Sequence, residues 1–204
     1  NKKIDRALKT LSKVEKDVER MVKTMLKNSS VMSRLEKTGV VSLEKAREIG
    51  LVGMAARACG VVLDSRFDFP DECFKNLALH RRIFTGKGDV NSRFKLRYQE
   101  TMESLSISKR ILEMLKGGYK EEVLTVNENQ ISPDSMAISI VEGWRGEVVH
   151  IALSDMNANL SRYKIKDPSF NNWYGLALAV RNNGVSDFPL CNKSFNLSYC
   201  GNDL

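Results

Sequence analysis

Apolar residues recur every three or four positions near the start of the chain: Ile4, Leu8, Leu11, Val14, Val18, Met21, Val22 and Met25. One stripe at the helical period predicts a long amphipathic helix over residues 4–27. Asn28-Ser29-Ser30 end it, a short helical piece follows, and Thr38-Gly39 break the chain. Ser42 reads as an N-cap, with Glu44 in the first turn of a helix reaching about Ile49. A second stripe, Phe94, Tyr98, Met102, Leu105, Ile111 (or Leu112) and Leu115, predicts a helix from about Asn91 to Leu115 that Gly117-Gly118 stop. The two long helices are expected to pack antiparallel.

Beyond Gly118 the period shortens. Met136, Ile138 and Ile140 alternate with smaller residues, and Val148–Leu153 and Leu160–Lys166 read as two further strands. Turns at Gly143–Gly146 and Asp155–Asn159 join them into a small antiparallel sheet. Asp167 with Pro168 then opens a helix expected to bury Phe170, Trp173, Tyr174, Ala177 and Val180 and to end near Asn183-Gly184. The pattern predicts an α+β fold, mainly α: a long-helix bundle with a small antiparallel β-sheet. Residues 1–118 form the helical part; residues 119–204 supply the sheet, the C-terminal helix and the tail, packed on the bundle as one domain. Between these parts, Gly50 to Gly60 is rich in small residues that permit close backbone approach. Residues 61–90 have no clean period and read as an ordered loop with short helical pieces.

The chain has 204 residues, enough for one large domain or two small ones. A hydrophobic content of 42% and a mean hydropathy of −0.31 are ordinary for a globular protein. No apolar run approaches the roughly 20 residues of a membrane span. The chain opens at Asn1 with no signal-peptide pattern, so a fragment or a processed product is expected. The net charge of +7 comes largely from lysines that alternate with Asp5, Glu15, Asp17 and Glu19 on the first helix. A solvated helix face accounts for them. No aromatic–basic interleaving supports direct nucleic-acid contact, and a non-enzymatic basic binding module is the weaker alternative. Cys59, Cys73, Cys191 and Cys200 include no Cys-x-x-Cys pair. A disulfide framework is not expected, and the setting reads as reducing.

Five blocks in order carry a family resemblance. They are Gly39-Val-Val-Ser-Leu-Glu-Lys-Ala46 with Gly50-Leu-Val-Gly53 and Arg57-Ala-Cys-Gly60; Asp64-Ser-Arg66 with Pro70; Arg93–Arg97 with Glu100, Glu103 and Ser104; Glu142-Gly-Trp-Arg-Gly-Glu-Val-Val-His150; and the C-terminal run from Asp167 through Ser186-Asp187, Pro189-Leu190 and Asn196–Gly201. Together they resemble the C-terminal part of the large subunit of membrane-bound nickel–iron hydrogenases of the formate hydrogenlyase type. They also resemble the related quinone-site large subunit of respiratory complex I: the wording at Ser186-Asp187 and Pro189-Leu190 is closer to the hydrogenase branch, the chemistry closer to the branch without the cysteines. Met54 and Cys59 stand where the family has proline and serine, and Gly143-Trp144 where it has Ala-Pro.

The resemblance implies a hydrogenase large-subunit-like scaffold in a membrane-associated, energy-converting redox complex on the cytoplasmic side of a prokaryotic inner membrane. Its partners would be a small iron–sulfur subunit and membrane-arm subunits, with iron–sulfur clusters and a quinone held there. Contact with the membrane would come only through those partners. Exposed faces meant for partners could also drive self-association. The family's nickel-binding Cys-x-x-Cys at this end falls on Ser198 and Gly201, with Cys200 one residue out of register. Serine is a poor nickel ligand and glycine has no side chain. The expectation is therefore a subunit without its own metal or cofactor; the alternative is an active nickel–iron hydrogenase with an unusual ligand set.

The resemblance also assigns candidate residues. Arg57, Asp64, Arg66, Ser198 and Gly201 would line the former metal cavity, and the first three read equally as a structural salt-bridge network. Arg145 and Glu147 would touch the partner subunit or occupy a plain solvent-facing turn. Asp187, Asp203 and His150 are candidates for a proton route, with a satisfied structural histidine as the other reading of His150. Cys59 reads as a small buried hydrophobe. Phe188, Leu190, Phe195, Leu197 and Tyr199 are expected to fill the tail region.

Overall fold

A computed structural model of the chain describes residues 2–70, 74, 75, 77, 79, 81, 83–118 and 131–203, with the side chains of 202 and 203 outside the description. Helix α1 (Lys2–Lys27) and helix α6 (Val90–Lys116) are the two long elements. They run antiparallel. Lys116 near the end of α6 pairs with Asp5 at 2.7 Å, and Lys109 pairs with Glu15 farther along α1. Between them lie α2 (Ser29–Leu35), α3 (Leu43–Glu48), α4 (Gly53–Arg57) and α5 (Ser65–Asp68). Then come β1 (Met136–Gly143), β2 (Gly146–Ser154), β3 (Leu160–Lys166), α7 (Pro168–Ala179), a 3-10 turn at Val185–Asp187, and α8 (Phe188–Phe195). A last 3-10 turn covers Cys200–Asp203. The α+β, mainly α architecture expected from the sequence is the one observed.

Short polar side chains start the helices by accepting hydrogen bonds from otherwise unpaired amides. Ser42 accepts from the Lys45 amide at 3.2 Å, and Asp167 from the Ser169 amide at 2.7 Å, as the sequence predicts. Asp89 does the same for α6, accepting from the Ser92 amide at 2.7 Å, so that helix starts one residue before the predicted Asn91. The sheet has the order β1-β2-β3, antiparallel throughout. Gly143 pairs with Gly146, so Trp144 and Arg145 form a two-residue hairpin tip.

The small-residue segment is the centre of the molecule. Residues 51–59 are all buried, and Leu51, Ala55, Ala56 and Cys59 join Val41, Val90, Leu176, Ala179, Cys191, Phe195 and Leu197 in one core. Gly53 has a φ of +62°, and a Cβ there would stand 2.2 Å from the Cα of Gly146. Only glycine lets the hairpin tip reach α4. Asn172 of α7 closes the joint: its Oδ1 accepts from the Val52 amide at 3.1 Å, and its Nδ2 donates to the carbonyls of Val52 (3.2 Å) and Arg145 (3.3 Å).

This joint corrects the expected face of α7. Phe170, Tyr174 and Ala177 are exposed and Trp173 and Val180 half-buried; the buried side is Ser169, Asn172, Gly175, Leu176 and Ala179. A face that must bond a loop's backbone and approach Leu51 closely needs an amide and a glycine more than it needs rings. The helix also stops at Ala179, earlier than predicted, because Asn183 Nδ2 takes the Ala179 carbonyl at 2.8 Å. On the long helices the predicted stripes are only half-buried. Val22 is the one buried apolar residue of α1, and Met21, Val14 and Leu115 are exposed. In the tail Phe195 and Leu197 are buried and Leu190 partly so, whereas Phe188 and Tyr199 are exposed.

Candidate functional site

Arg57 ends α4, and the elements around it arrive from distant sequence. Its Nε donates to Glu100 of α6 at 2.8 Å, and its Nη1 to Glu142 of β1 at 2.7 Å and to the Leu63 carbonyl at 3.3 Å. Asp64 lies 3.8 Å away and is itself held by Arg66 at 2.6 Å. The second oxygen of Glu142 accepts from the Ser65 amide at 3.1 Å. Two cations and three carboxylates thus join α4, α5, α6 and β1. The structure brings Arg57, Asp64 and Arg66 together, as the sequence suggests, and adds Glu100 and Glu142.

Burial opposes the charge on Arg57, but Glu100, Glu142 and Asp64 outweigh it and hold its pKa above the ordinary arginine value. For Asp64, burial pushes upward, while the Arg66 hydrogen bonds and the Arg57 charge pull it below the usual carboxylate value. On its outer side the cluster faces a cleft of ≈ 300 Å³ lined by Arg57, Arg66, Glu100, Glu142 and Trp144, among others. Arg97 lies over the Trp144 ring at 5.7 Å from its centroid.

Among the described residues, Ser198 and Gly201 are not in the lining of the clefts at Arg57 bounded by Glu100 and Glu142, by Asp64 and Glu103, or by Val61 and Phe84. The Ser198 amide donates to Ser169 at 2.9 Å, its carbonyl accepts from Trp173 Nε1 at 3.3 Å, and its hydroxyl accepts from the Gly201 amide at 3.0 Å. A Cβ at Gly201 would sit 2.7 Å from the Asp167 carboxylate. A side chain at 201 would therefore require the Asp167 carboxylate, the cap of α7, to shift, and neither Ser198 nor Gly201 offers a thiolate. Cys200 is exposed, while Cys59 and Cys191 are free and buried. Among the described residues no group of three or more His, Cys, Asp or Glu could hold a metal ion.

The other candidates are spread over the fold. His150 lies mid-β2, with Nδ1 2.5 Å from the Tyr163 hydroxyl. Asp187 sits before α8, where it accepts from the Gly184 amide at 3.1 Å and pairs with Arg34 at 3.1 Å. The Asp203 side chain lies outside the described residues, and no hydrogen bond among the described residues joins His150 to Asp187. Arg145 is half-buried and donates to the Asn196 carbonyl; Glu147 is half-buried on β2.

Sequence reasoning missed the largest fully buried side chain among the described residues. Arg93 is 0% exposed. Its Nε donates to Ser194 at 2.8 Å, Nη1 to the Gly88 carbonyl at 2.7 Å and Nη2 to the Gly39 carbonyl at 2.8 Å, with the Phe195 ring centroid 4.3 Å away. Among the described residues no carboxylate pairs with it, and burial, outweighing Cys59, Cys191 and Asp89, pulls its pKa down to about 10. The available signal was an arginine four residues after the Asp89 cap, on the face that starts α6.

Comparisons with known proteins place the sequence and the fold. The family described as the respiratory-chain NADH dehydrogenase 49 kDa subunit matches residues 1–136 and 119–203. Hydrogenase-4 component G of Escherichia coli is 29% identical over 96% of the chain and 32% of its own length. An NADH-quinone oxidoreductase component of Deinococcus radiodurans is 30% identical over 83% of the chain and 48% of its own length. A structure of the membrane-bound sulfane sulfur reductase, an archaeal respiratory membrane complex, superposes with a TM-score of 0.87 at 23% identity, covering all of this chain and 56% of that one. The chain therefore spans about a third to a half of the curated relatives it matches. Among the described residues no helix is long and apolar enough to cross a membrane. With the matched blocks distributed along both halves of the fold, the chain belongs to the family of the 49 kDa subunit of respiratory-chain NADH dehydrogenase.

Proposed function

We propose that this chain is part of the large subunit of a membrane-associated, hydrogenase-like and complex I-like energy-converting redox complex, and that it works there without a nickel site of its own. The observation that carries the second half is the position of Gly201. A side chain at 201 would have to displace the Asp167 carboxylate, and the Ser198 hydroxyl already accepts from the Gly201 amide. The names of the relatives support the first half.

In this reading the large subunit faces a small iron–sulfur subunit and membrane-arm subunits on the cytoplasmic side of the membrane, and clusters or a quinone are held at those partners. The Arg57–Asp64–Arg66 cluster is then the wall of the former metal cavity, kept as an ionic frame. Arg145 and Glu147 are the proposed partner contact. Asp187, His150 and Asp203 are proposed to carry protons.

Metal analysis of the purified native complex tests the reading. Less than about a tenth of a nickel per complex is expected, on the order of adventitious binding without thiolate ligands. Stoichiometric nickel would overturn it in favour of an active nickel–iron hydrogenase. For the proton route, Asp187→Asn in the assembled complex should slow turnover; unchanged turnover removes Asp187 from it.

A further inference from the structure

The sheet carries a pattern that the ionic cluster does not use. Directly opposed residues in antiparallel strands share a face. The register gives three successive rows: Met136–Leu153–Arg162, Ile138–Ile151–Lys164 and Ile140–Val149–Lys166. Each row runs from two apolar residues on β1 and β2 to one cation on β3. Met136 is 64% and Ile138 54% exposed, Arg162 and Lys164 are exposed, and among the described residues no ion pair engages any of the three cations. The same face ends at Glu142, which is bonded to Arg57 and to the Ser65 amide. The rows therefore run from an end bonded to the body at Glu142 to an exposed end at Met136 and form an open wall.

We propose that this wall seats an amphipathic, acidic helix of a partner subunit. The inference rests on the reading of the chain as a subunit of a complex. A sheet face with an apolar stripe needs a covering layer, and a helix is the common one. A helix about 10 Å across covers two strands spaced roughly 4.8 Å, here the apolar pair β1 and β2. Its flank then lies beside β3. Carboxylates at i and i+4 on that flank repeat every ~6 Å, close to the ~7 Å spacing of Arg162, Lys164 and Lys166 along the strand. A lipid surface fits less well. The body rises beside the face at Glu142, and no aromatic residue stands among the nine.

The test is zero-length carbodiimide coupling of lysine amines to carboxylates in the purified native complex, followed by peptide mapping. The expected product joins Lys164 or Lys166 to Asp or Glu in an amphipathic helix of another subunit. Lys164→Arg should remove the Lys164 link and keep that subunit bound. Arg162→Glu with Lys164→Glu should lower the co-purified subunit by more than about tenfold; circular dichroism unchanged from the parent protein shows that this variant folds. Links only within this polypeptide, links to a second copy, or no link at all would overturn the proposal. So would flotation of the complex with phosphatidylserine vesicles that the double substitution abolishes. A complex that keeps its iron–sulfur subunit but gives no such link overturns this inference alone; stoichiometric nickel with the link present overturns only the reading above.

Discussion

Among the described residues two arginines are buried, and they are held in opposite ways. Arg57 is ringed by Glu100, Glu142 and Asp64, and its charge is over-compensated. Arg93 is more deeply enclosed, yet it is held by two glycine carbonyls, a serine hydroxyl and an aromatic face. The first is an ionic joint between a short helix, a long helix and a sheet, open on one side to a cleft. The second is a clasp that fixes three chain segments, at Gly39, Gly88 and Ser194, in the dry core. Burial alone thus says little about what a charged residue does. What decides is whether the partners bring countercharge or only dipoles.

Removing the charge should cost most where carboxylates are left behind. Arg57→Ala leaves Glu100 and Glu142, both little exposed, without its charge, while Asp64 keeps Arg66, and the expected loss is about 3–5 kcal/mol. Urea unfolding of the purified protein measures it. A loss below about 1 kcal/mol would place the cluster with ordinary surface pairs and end the contrast. Arg93→Met keeps the volume and removes the donors. Three neutral acceptors each lose a donor, although the Gly88 carbonyl keeps the Val41 amide at 3.0 Å, for an expected loss of about 2–4 kcal/mol. Arg93→Lys should fall between parent and Met, because one ammonium cannot reach acceptors that a planar fork holds in three directions.

The contrast also explains what was legible in the sequence. Periodicity placed both long helices, all three strands and the caps at Ser42 and Asp167, because each is a local signal. The Arg57–Asp64–Arg66 grouping was legible for the same reason, since the three lie within ten positions of each other. Glu100 and Glu142 were not, because they arrive 43 and 85 residues after Arg57. Arg93 was hidden more completely. Two of its partners are backbone carbonyls, which any residue type supplies, so no pattern of side chains announces them. The face of α7 was misread for a related reason: Asn172 faces inward to serve the backbone of Val52, while the rings of Phe170 and Tyr174 stay outside.

Acid should act on the Arg57 side through Asp64. Its folded pKa is depressed, so its contribution is present above the ordinary aspartate value of 3.8 and is lost as pH falls through the lower folded value. Asp64→Asn should flatten the acid limb of the stability–pH curve. Asp89, the cap beside Arg93, is also depressed: burial pushes it up, and hydrogen bonds from Ser92 and the Lys37 amide outweigh that. A residual acid slope should therefore remain in Asp64→Asn and shrink further in the double variant with Asp89→Asn, while Asp5, Asp68 and Asp155, also depressed, keep it from vanishing. An unchanged slope in Asp64→Asn would show that Arg66 and Arg57 do not hold that carboxylate in solution.

The smallest expected effect concerns the thiols beside Arg93. A nearby guanidinium ordinarily lowers a thiol pKa and makes it reactive. Around Arg93 burial wins instead. Cys59 is pushed up to about 11 and Cys191 is raised as well, in each case mainly by loss of solvent and against the pull of Arg93. Cys59 thus favours the fold below pH 9 and loses that contribution between pH 9 and about 11, because the unfolded thiol ionises first. At pH 8, N-ethylmaleimide should label exposed Cys200 within minutes, while Cys59 and Cys191 wait for unfolding. Peptide mapping resolves the three sites. Rapid labelling of Cys59 in the folded protein would mean that the clasp opens to solvent, and Arg93 would then belong with Arg57 as a group that water and ligands can reach.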